Sequence, residues 1–212
     1  MKKIIFQSLF ISITILFGNS AMAIEEPKFT LLLEEKPYEI RAYEPMIVAE
    51  VQVSGDRDSA TNRGFRMIAD YIFGNNEGKN QASQNIAMTA PVTIEKQIQA
   101  NVERNSTQEE LAEGVWRIQF VMPSEFSLSS LPKPKNNLVN IRQIPSKTYA
   151  VYVYSGLNGV EKVSKITQDL QTWIFQNHYE AIGNPQLARY NPPWTLPIFR
   201  RNEVLIEVKV KQ

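Results

Sequence analysis

His178 is the only histidine in the 212-residue chain, and there is no cysteine. Most triad chemistry is thereby excluded, and so are cysteine-type zinc sites. There is no G-x-S-x-G and no H-E-x-x-H, and the stretch 74–79 lacks the final Ser or Thr of a phosphate loop. The adjacent acids Glu25-Glu26, Glu34-Glu35 and Glu109-Glu110 read as solvated pairs, because neighbours on a strand or helix do not converge. His178 follows a predicted helix, where a lone histidine serves as a partner for the negative end of the helix dipole. The residues point to binding before they point to turnover.

Composition narrows the class further. The formal net charge is +1. Lys2 and Lys3 precede a mostly apolar run over 4–17, which leads to Ala21-Met22-Ala23. A charged start, an apolar run of that length and an A-x-A site predict a secretory signal over 1–23, removed after Ala23. The run is too short and too interrupted by Gln7, Ser8, Ser12 and Thr14 to span a bilayer, so no stable membrane anchor is expected after cleavage. The bacterial style of the signal points to a periplasmic or secreted protein. Loss of the two lysines leaves the domain 24–212 near neutral, without the footprint of a nucleic-acid binder. An exported chain without cysteine has no disulfide framework, and apolar burial must hold it. The oligomeric state is not legible.

The elements that must position any site come in two sets. "EIRAYEPMIVAEVQVSG" at 39–55 is echoed by "NIRQIPSKTYAVYVYSG" at 140–156, at a constant offset of 101 residues. Each stretch predicts a short strand, a proline-marked corner and a longer strand, then a helix. Phe65, Ile68, Ala69 and Ile72 mark the first helix, capped by Asp58 or Ser59; Val163, Ile166, Leu170 and Ile174 mark the second. Two strands follow each helix: 86–95 and 115–122 in the first half, 187–190 and one from Glu203 in the second. The predicted fold is α+β: a distorted antiparallel β-barrel from two β-β-α-β-β repeats, about 38–122 and 139–210, with two flanking helices. The polar stretches 75–85 and 96–114, the latter with a helical turn at 107–112, and the proline-rich link 131–137 are predicted connections. Pro91 in "NIAMTAPVTIE", at 85–95, restrains the entrance to a strand, as an edge or a pocket-side element would.

Three segments carry a resemblance: "YEIRAYEPMIVAEV", "NIAMTAPVTIE" and "YNPPWTLPIFRRNEVLIEV". In order and spacing the chain resembles the SOUL haem-binding protein family from about Tyr38 to Val208. The resemblance implies the two-repeat barrel. It also implies non-enzymatic binding of haem, or another flat hydrophobic tetrapyrrole, in a cleft between the first helix and the loop before the last strand. Onto this sequence that maps Phe65, Met67, Ile68, Ala69, Trp194 and Phe199 as the apolar slot, and Arg63, Arg66, Arg200 and Arg201 as cations for the propionates. Each of these residues also has an ordinary role in packing or solvation. Some family members carry a histidine where this chain has Ala42, and Asp70 stands on the first helix where an acid is a poor neighbour for a propionate. Without cysteine, thiolate ligation and covalent attachment are excluded, and haem here lacks an evident strong axial ligand. Two alternatives stay open: a hydrolase of small hydrophobic molecules on the same fold, with Glu95 or Glu203 and a partner in Tyr71 or Tyr190, and a partner-binding protein with a vestigial cleft.

Overall fold

A computed structural model describes residues 24–97 and 114–211. The expected signal at 1–23 and the helical turn expected at 107–112 lie outside the described residues. The first half contains strands β1 (Phe29–Glu35), β2 (Tyr38–Tyr43) and β3 (Met46–Gly55), helix α1 (Arg57–Ile72), then β4 (Asn76–Glu77), β5 (Val92–Gln97) and β6 (Gly114–Val121). The second contains β7 (Lys133–Pro134), β8 (Asn140–Ile144) and β9 (Lys147–Ser155), helix α2 (Val160–Gln176), then β10 (Tyr179–Ala181), β11 (Gln186–Arg189) and β12 (Arg201–Val210).

One antiparallel sheet runs in the order β1-β2-β9-β12-β11-β5-β6-β3-β8, with β10 also on β12. Exchanging β2, β3, β5 and β6 for β8, β9, β11 and β12 leaves the order from β2 to β8 unchanged when read backwards. Where the sequence pointed to a closed barrel, the described strands form an open sheet. The reason is local: closure would need the free edge of β2, and β1 occupies it from Phe29↔Tyr43 to Glu35↔Tyr38. The proline-rich link also does more than connect. Its Lys133–Pro134 pairs with Asn76–Glu77 from the stretch read as a plain loop.

Both helices pack on one face of the sheet. Ala49, Val51, Val53, Ile118 and Phe120 meet Ala60, Ile68, Tyr71 and Ile72 of α1 in one cluster. Ile40, Ala150, Val204, Ile206 and Val208 meet Ile166, Leu170, Trp173 and Ile174 of α2 in another. The approach of α1 is close at Gly64, where a Cβ would sit 2.9 Å from the Ile118 side chain and 3.0 Å from Val51. The turns into the helices are built alike. Gly55 and Gly156 have φ of +121° and +103°, where a side chain is strained. Arg63 donates to the Ser54 carbonyl, and Lys162 donates to that of Ser155 at 2.7 Å. The N-cap of α1 is Asp56, two residues before the expected Asp58, with its carboxylate accepting from the amides of Asp58 and Ser59 at 3.1 and 3.0 Å.

The segment before β5 is not the start of a strand, as the sequence suggested. Thr89 makes an isolated parallel bridge with Glu25, and the Ala90 amide donates to the Glu25 carbonyl at 2.9 Å. Pro91 stands just before Val92, so the missing donor falls outside the ladder. The motif fastens the residues that follow position 23 to the sheet.

Candidate functional site

The buried stripe of α1 is Ala60, Thr61, Gly64, Ile68, Tyr71 and Ile72. That periodicity turns Ser59, Asn62, Arg63, Phe65 and Arg66 outward, where they line a shallow depression of about 440 Å³. Phe65 is 37% exposed, and its ring leans on Phe120 with centroids 5.3 Å apart. Met67 is half-buried against the core, and Ala69 is half-buried beside it. Of the expected helix residues, then, Phe65, Arg63 and Arg66 share a surface, while Met67 and Ala69 are turned partly inward.

The loop between β11 and β12 presents the rest. Trp194 is 82% exposed, and Leu196, Ile198 and Phe199 are exposed with it; a 3-10 turn spans Pro197–Phe199. Arg200 is spent on the loop itself: its Nε donates to the Thr195 carbonyl at 2.7 Å and its Nη2 to the Pro193 carbonyl at 2.5 Å. It holds the shape that displays Trp194. Arg201 lies over the Tyr190 ring, 3.4 Å from its centroid, and pairs with Glu26. At the root of the loop, Arg189 reaches Asp58 of α1 at 3.4 Å. Among the described residues no hydrogen bond, ion pair or ring contact joins the outward residues 63–69 to residues 194–200.

The face of the sheet opposite the helices is buried as well, and it sets a polar network beside a small apolar cluster of Tyr43, Tyr149, Val151, Ala188 and Leu205. Glu203 is 1% exposed and accepts from Arg41 Nη1 at 3.0 Å and the Tyr190 hydroxyl at 2.7 Å. Arg41 also donates to Glu39 at 2.6 Å and to the Tyr43 hydroxyl at 3.1 Å, and lies 4.5 Å from the Phe29 ring centroid. Burial, then the charge of Glu203, raises the Tyr190 phenol far above its usual range, and burial pushes Tyr43 up to about 12. Burial disfavours the Arg41 cation, but Tyr43, Glu203 and Glu39 outweigh it and hold Arg41 protonated. The Tyr190–Glu203 contact exists, but as a hydrogen bond from the neutral phenol to a carboxylate already ion-paired with Arg41. Glu95 is saturated too, by Arg117 at 2.7 Å and Gln186 at 3.0 Å, and Tyr71 donates elsewhere, to the Pro132 carbonyl at 2.9 Å.

Glu50 is the third buried acid on that face, paired with Arg142 Nε at 2.9 Å and accepting from Gln119 at 2.7 Å. Burial pushes its carboxyl up, but Arg142 and Gln119 overcome this and set it below the ordinary 4.5. A depressed folded-state pKa contributes stability above the unfolded value, and that contribution is lost as pH falls through the folded one. Glu50→Gln should therefore flatten the loss of stability below about pH 4.5, followed by urea unfolding from about pH 3 to about pH 7. A loss as steep as the parent's would remove Glu50 as a source of acid sensitivity.

The family model described as SOUL heme-binding protein matches residues 24–207. The chain belongs to this family. It is similar to Heme-binding protein 2 of Homo sapiens, 32% identical over 198 residues, which cover 87% of this chain and 86% of the relative. The mouse (Mus musculus) Heme-binding protein 2 is 31% identical over 150 residues, covering 68% of this chain and 67% of its own. Among solved structures, the EcmrR C-terminal domain has a TM-score of 0.58 at 13% identity, covering 82% of this chain and 97% of that one. A hydrolase from Listeria innocua has a TM-score of 0.55 at 10% identity, covering 84% and 94%. At those identities the likeness is one of fold.

In this SOUL chain the motif residues have distinct duties. Met88 is 44% exposed, while Thr89 beside it donates to the Val121 carbonyl. His178 stands exposed just past α2 with φ of +62°, the left-handed position that commonly ends a helix. Sequence reasoning missed two exposed neighbours of the loop aromatics, Leu196 and Ile198, and the turn that carries them. Four large apolar residues around one proline, "WTLPIF", were the available signal.

Proposed function

We propose that the protein binds haem, or another tetrapyrrole, without covalent attachment, on the surface formed by the outward face of α1 and the loop 194–199. One observation supports this most: Trp194, Leu196, Ile198 and Phe199 are exposed at 82, 61, 71 and 68% within six residues. Large apolar side chains concentrated on a surface mark a binding site, because water gains by their being covered. The residues present fit the group. Phe65, Trp194 and Phe199 offer apolar area to a porphyrin face, and Arg63 and Arg66 offer charge to its propionates. Arg200 is a positioning residue in this reading, since its donors hold the loop. Bound haem would supply an iron centre; this chain grips the ring and its acid arms. The slot residues include no histidine, and the thioether of Met67 packs toward the core.

Two finer statements belong to the same reading. The domain acts outside the cytoplasm, as a periplasmic or secreted protein once residues 1–23 are removed. The two β-β-α-β-β units at 38–122 and 139–210 descend from one unit doubled, supported by the reversible strand order and the matched turns at Gly55 and Gly156.

Titration of the protein lacking residues 1–23 with hemin, followed at the Soret band, tests the reading. Saturation at one hemin per chain is expected. His178→Ala should bind within about fivefold of the parent, a change of about 1 kcal/mol. Unsaturable, detergent-sensitive uptake would defeat the function, and loss of the Soret change in His178→Ala would make that residue the iron ligand.

A further inference from the structure

A cleft of about 720 Å³ opens between the start of α1 and the length of α2, over β5 and β11. Its floor is Ile94, Leu187 and Val204, and Trp116 forms one wall. The Trp116 ring is held in place by its Nε1, which donates to the Gly55 carbonyl at 2.9 Å. The opposite wall is a face of α2 made of Val160, Val163, Ser164, Thr167, Gln168 and Gln171. Their spacing of i, i+3, i+4, i+7, i+8 and i+11 is that of a single helical stripe, beside the stripe of Ile166, Leu170, Trp173 and Ile174 that meets the sheet.

None of those six residues is charged, although the same helix carries Glu161, Lys162, Lys165 and Asp169 on its other faces. A helix face that meets only water ordinarily carries charge opposite its buried stripe. Here the stripe runs from apolar at Val160 and Val163 to neutral amide at Gln168 and Gln171. Among the described residues neither of those two side-chain amides has a hydrogen-bond partner. The charges of the lining are already engaged: Asp56 caps α1, Arg57 donates to the Asn158 carbonyl at 2.6 Å, Asp58 pairs with Arg189, and the Lys96 ammonium lies 5.8 Å from the Trp116 ring centroid. A volume in the range of small-molecule sites, an anchored aromatic wall and a graded neutral wall make a binding cleft.

We infer that this cleft is a second ligand site, separate from the α1–loop surface, for an uncharged, flat amphiphile. Its apolar body lies between Trp116 and Val163 over Ile94 and Leu187, and a hydroxyl, carbonyl or amide group meets Gln168 and Gln171. A charged ligand is disfavoured, because the lining offers it no counter-charge that is not already engaged, and an ion taken from water without one is costly.

Calorimetric titration with N-phenyl-1-naphthylamine tests the site, with 8-anilinonaphthalene-1-sulfonate as a closely similar aromatic body carrying a charge. One neutral probe per chain is expected, with the sulfonate weaker by about tenfold or more. Ser164→Trp and Val160→Trp, at exposed helix positions that fill the cleft without touching the core, should each weaken the neutral probe by about tenfold or more. Saturation with hemin, and Trp194→Ala, should leave its affinity within about twofold. The inference fails if the neutral probe does not bind, if both filled variants bind it as the parent does, or if the sulfonate binds as tightly. It also fails if hemin displaces the probe one for one. That last result would move haem into the cleft and leave the binding function standing.

Discussion

Trp194→Ala is expected to weaken hemin binding by about one to two orders of magnitude. Covering a large aromatic side chain is worth roughly 1.5 to 3 kcal/mol, and each 1.4 kcal/mol is about a factor of ten in affinity. Trp194 is 82% exposed in the free protein, so nearly all of its surface is available to be covered and almost none supports the fold. Arg66 contributes differently. An exposed ion pair between its guanidinium and a propionate is worth about 1 kcal/mol or less, and salt screens it. Arg66→Ala should cost about fivefold or less and should reduce the salt dependence of binding, because the screened attraction is what it removes. Phe65 is the poorer test residue, since its ring also rests on Phe120 and its loss would mix stability with affinity. Soret titrations of the two variants at low and high salt separate the cases. If Trp194→Ala unfolds at the parent's denaturant midpoint and binds hemin equally well, the loop is not the site.

Glu203→Ala should destabilise the fold by about 3 kcal/mol, since it strands a buried cation. Arg41 is 6% exposed, and with Glu203 gone its remaining acidic partner is Glu39, while Tyr190 keeps a buried hydroxyl with nothing to donate to. Glu203→Gln keeps an acceptor for Tyr190 but removes the charge, and should fall between parent and alanine. Urea midpoints for the two variants measure this. A loss under about 1 kcal/mol for the alanine variant would show that the network is solvated in solution. Because Glu203 lies on the face away from the helices, a folded Glu203→Gln should bind hemin as the parent does. A selective loss of binding there would place the ligand on the polar face.

The parts of the fold that were legible were those where one period runs long. Ile68 and Ile72 on α1 and Leu170 and Ile174 on α2 fell on the faces their spacing predicted, and Val204, Ile206 and Val208 alternate onto the same buried side of the sheet. Short elements carried too few residues for a period: β10 has three residues and β11 four. β1 went unread because "FTLLLEE" shows no sustained alternation, and its residues are mostly exposed at the sheet edge. Alternation along β3 puts Glu50 on the side away from Ala49, Val51 and Val53, but alternation alone does not say whether that side meets water. It does not, and Glu50 is 7% exposed with Arg142 and Gln119 against it. Pattern fixes which side a residue takes; burial of the polar side depends on partners far along the chain. At the proposed haem surface, residue types were legible and their commitments were not. Arg200 read as a ligand cation, and only the folded loop shows its Nε and Nη2 turned onto carbonyls.

The position of β1 has a further consequence, for behaviour at high concentration. It is the last strand of the sheet and leaves Phe29, Leu31 and Leu32 exposed at 41, 45 and 53%. An apolar strand with one free edge is where a second copy would add on, and a chain of such additions grows a fibre. Two features oppose that growth. The register breaks between Leu31 and Leu33, which twists the edge out of line, and the strand closes on Glu34, Glu35 and Lys36, whose charges resist being stacked. Trp173 of α2 donates to Glu35 at 2.9 Å and so ties the end of that strand to the body of the protein. The strand that keeps the sheet from closing on itself also keeps it from extending into its neighbours.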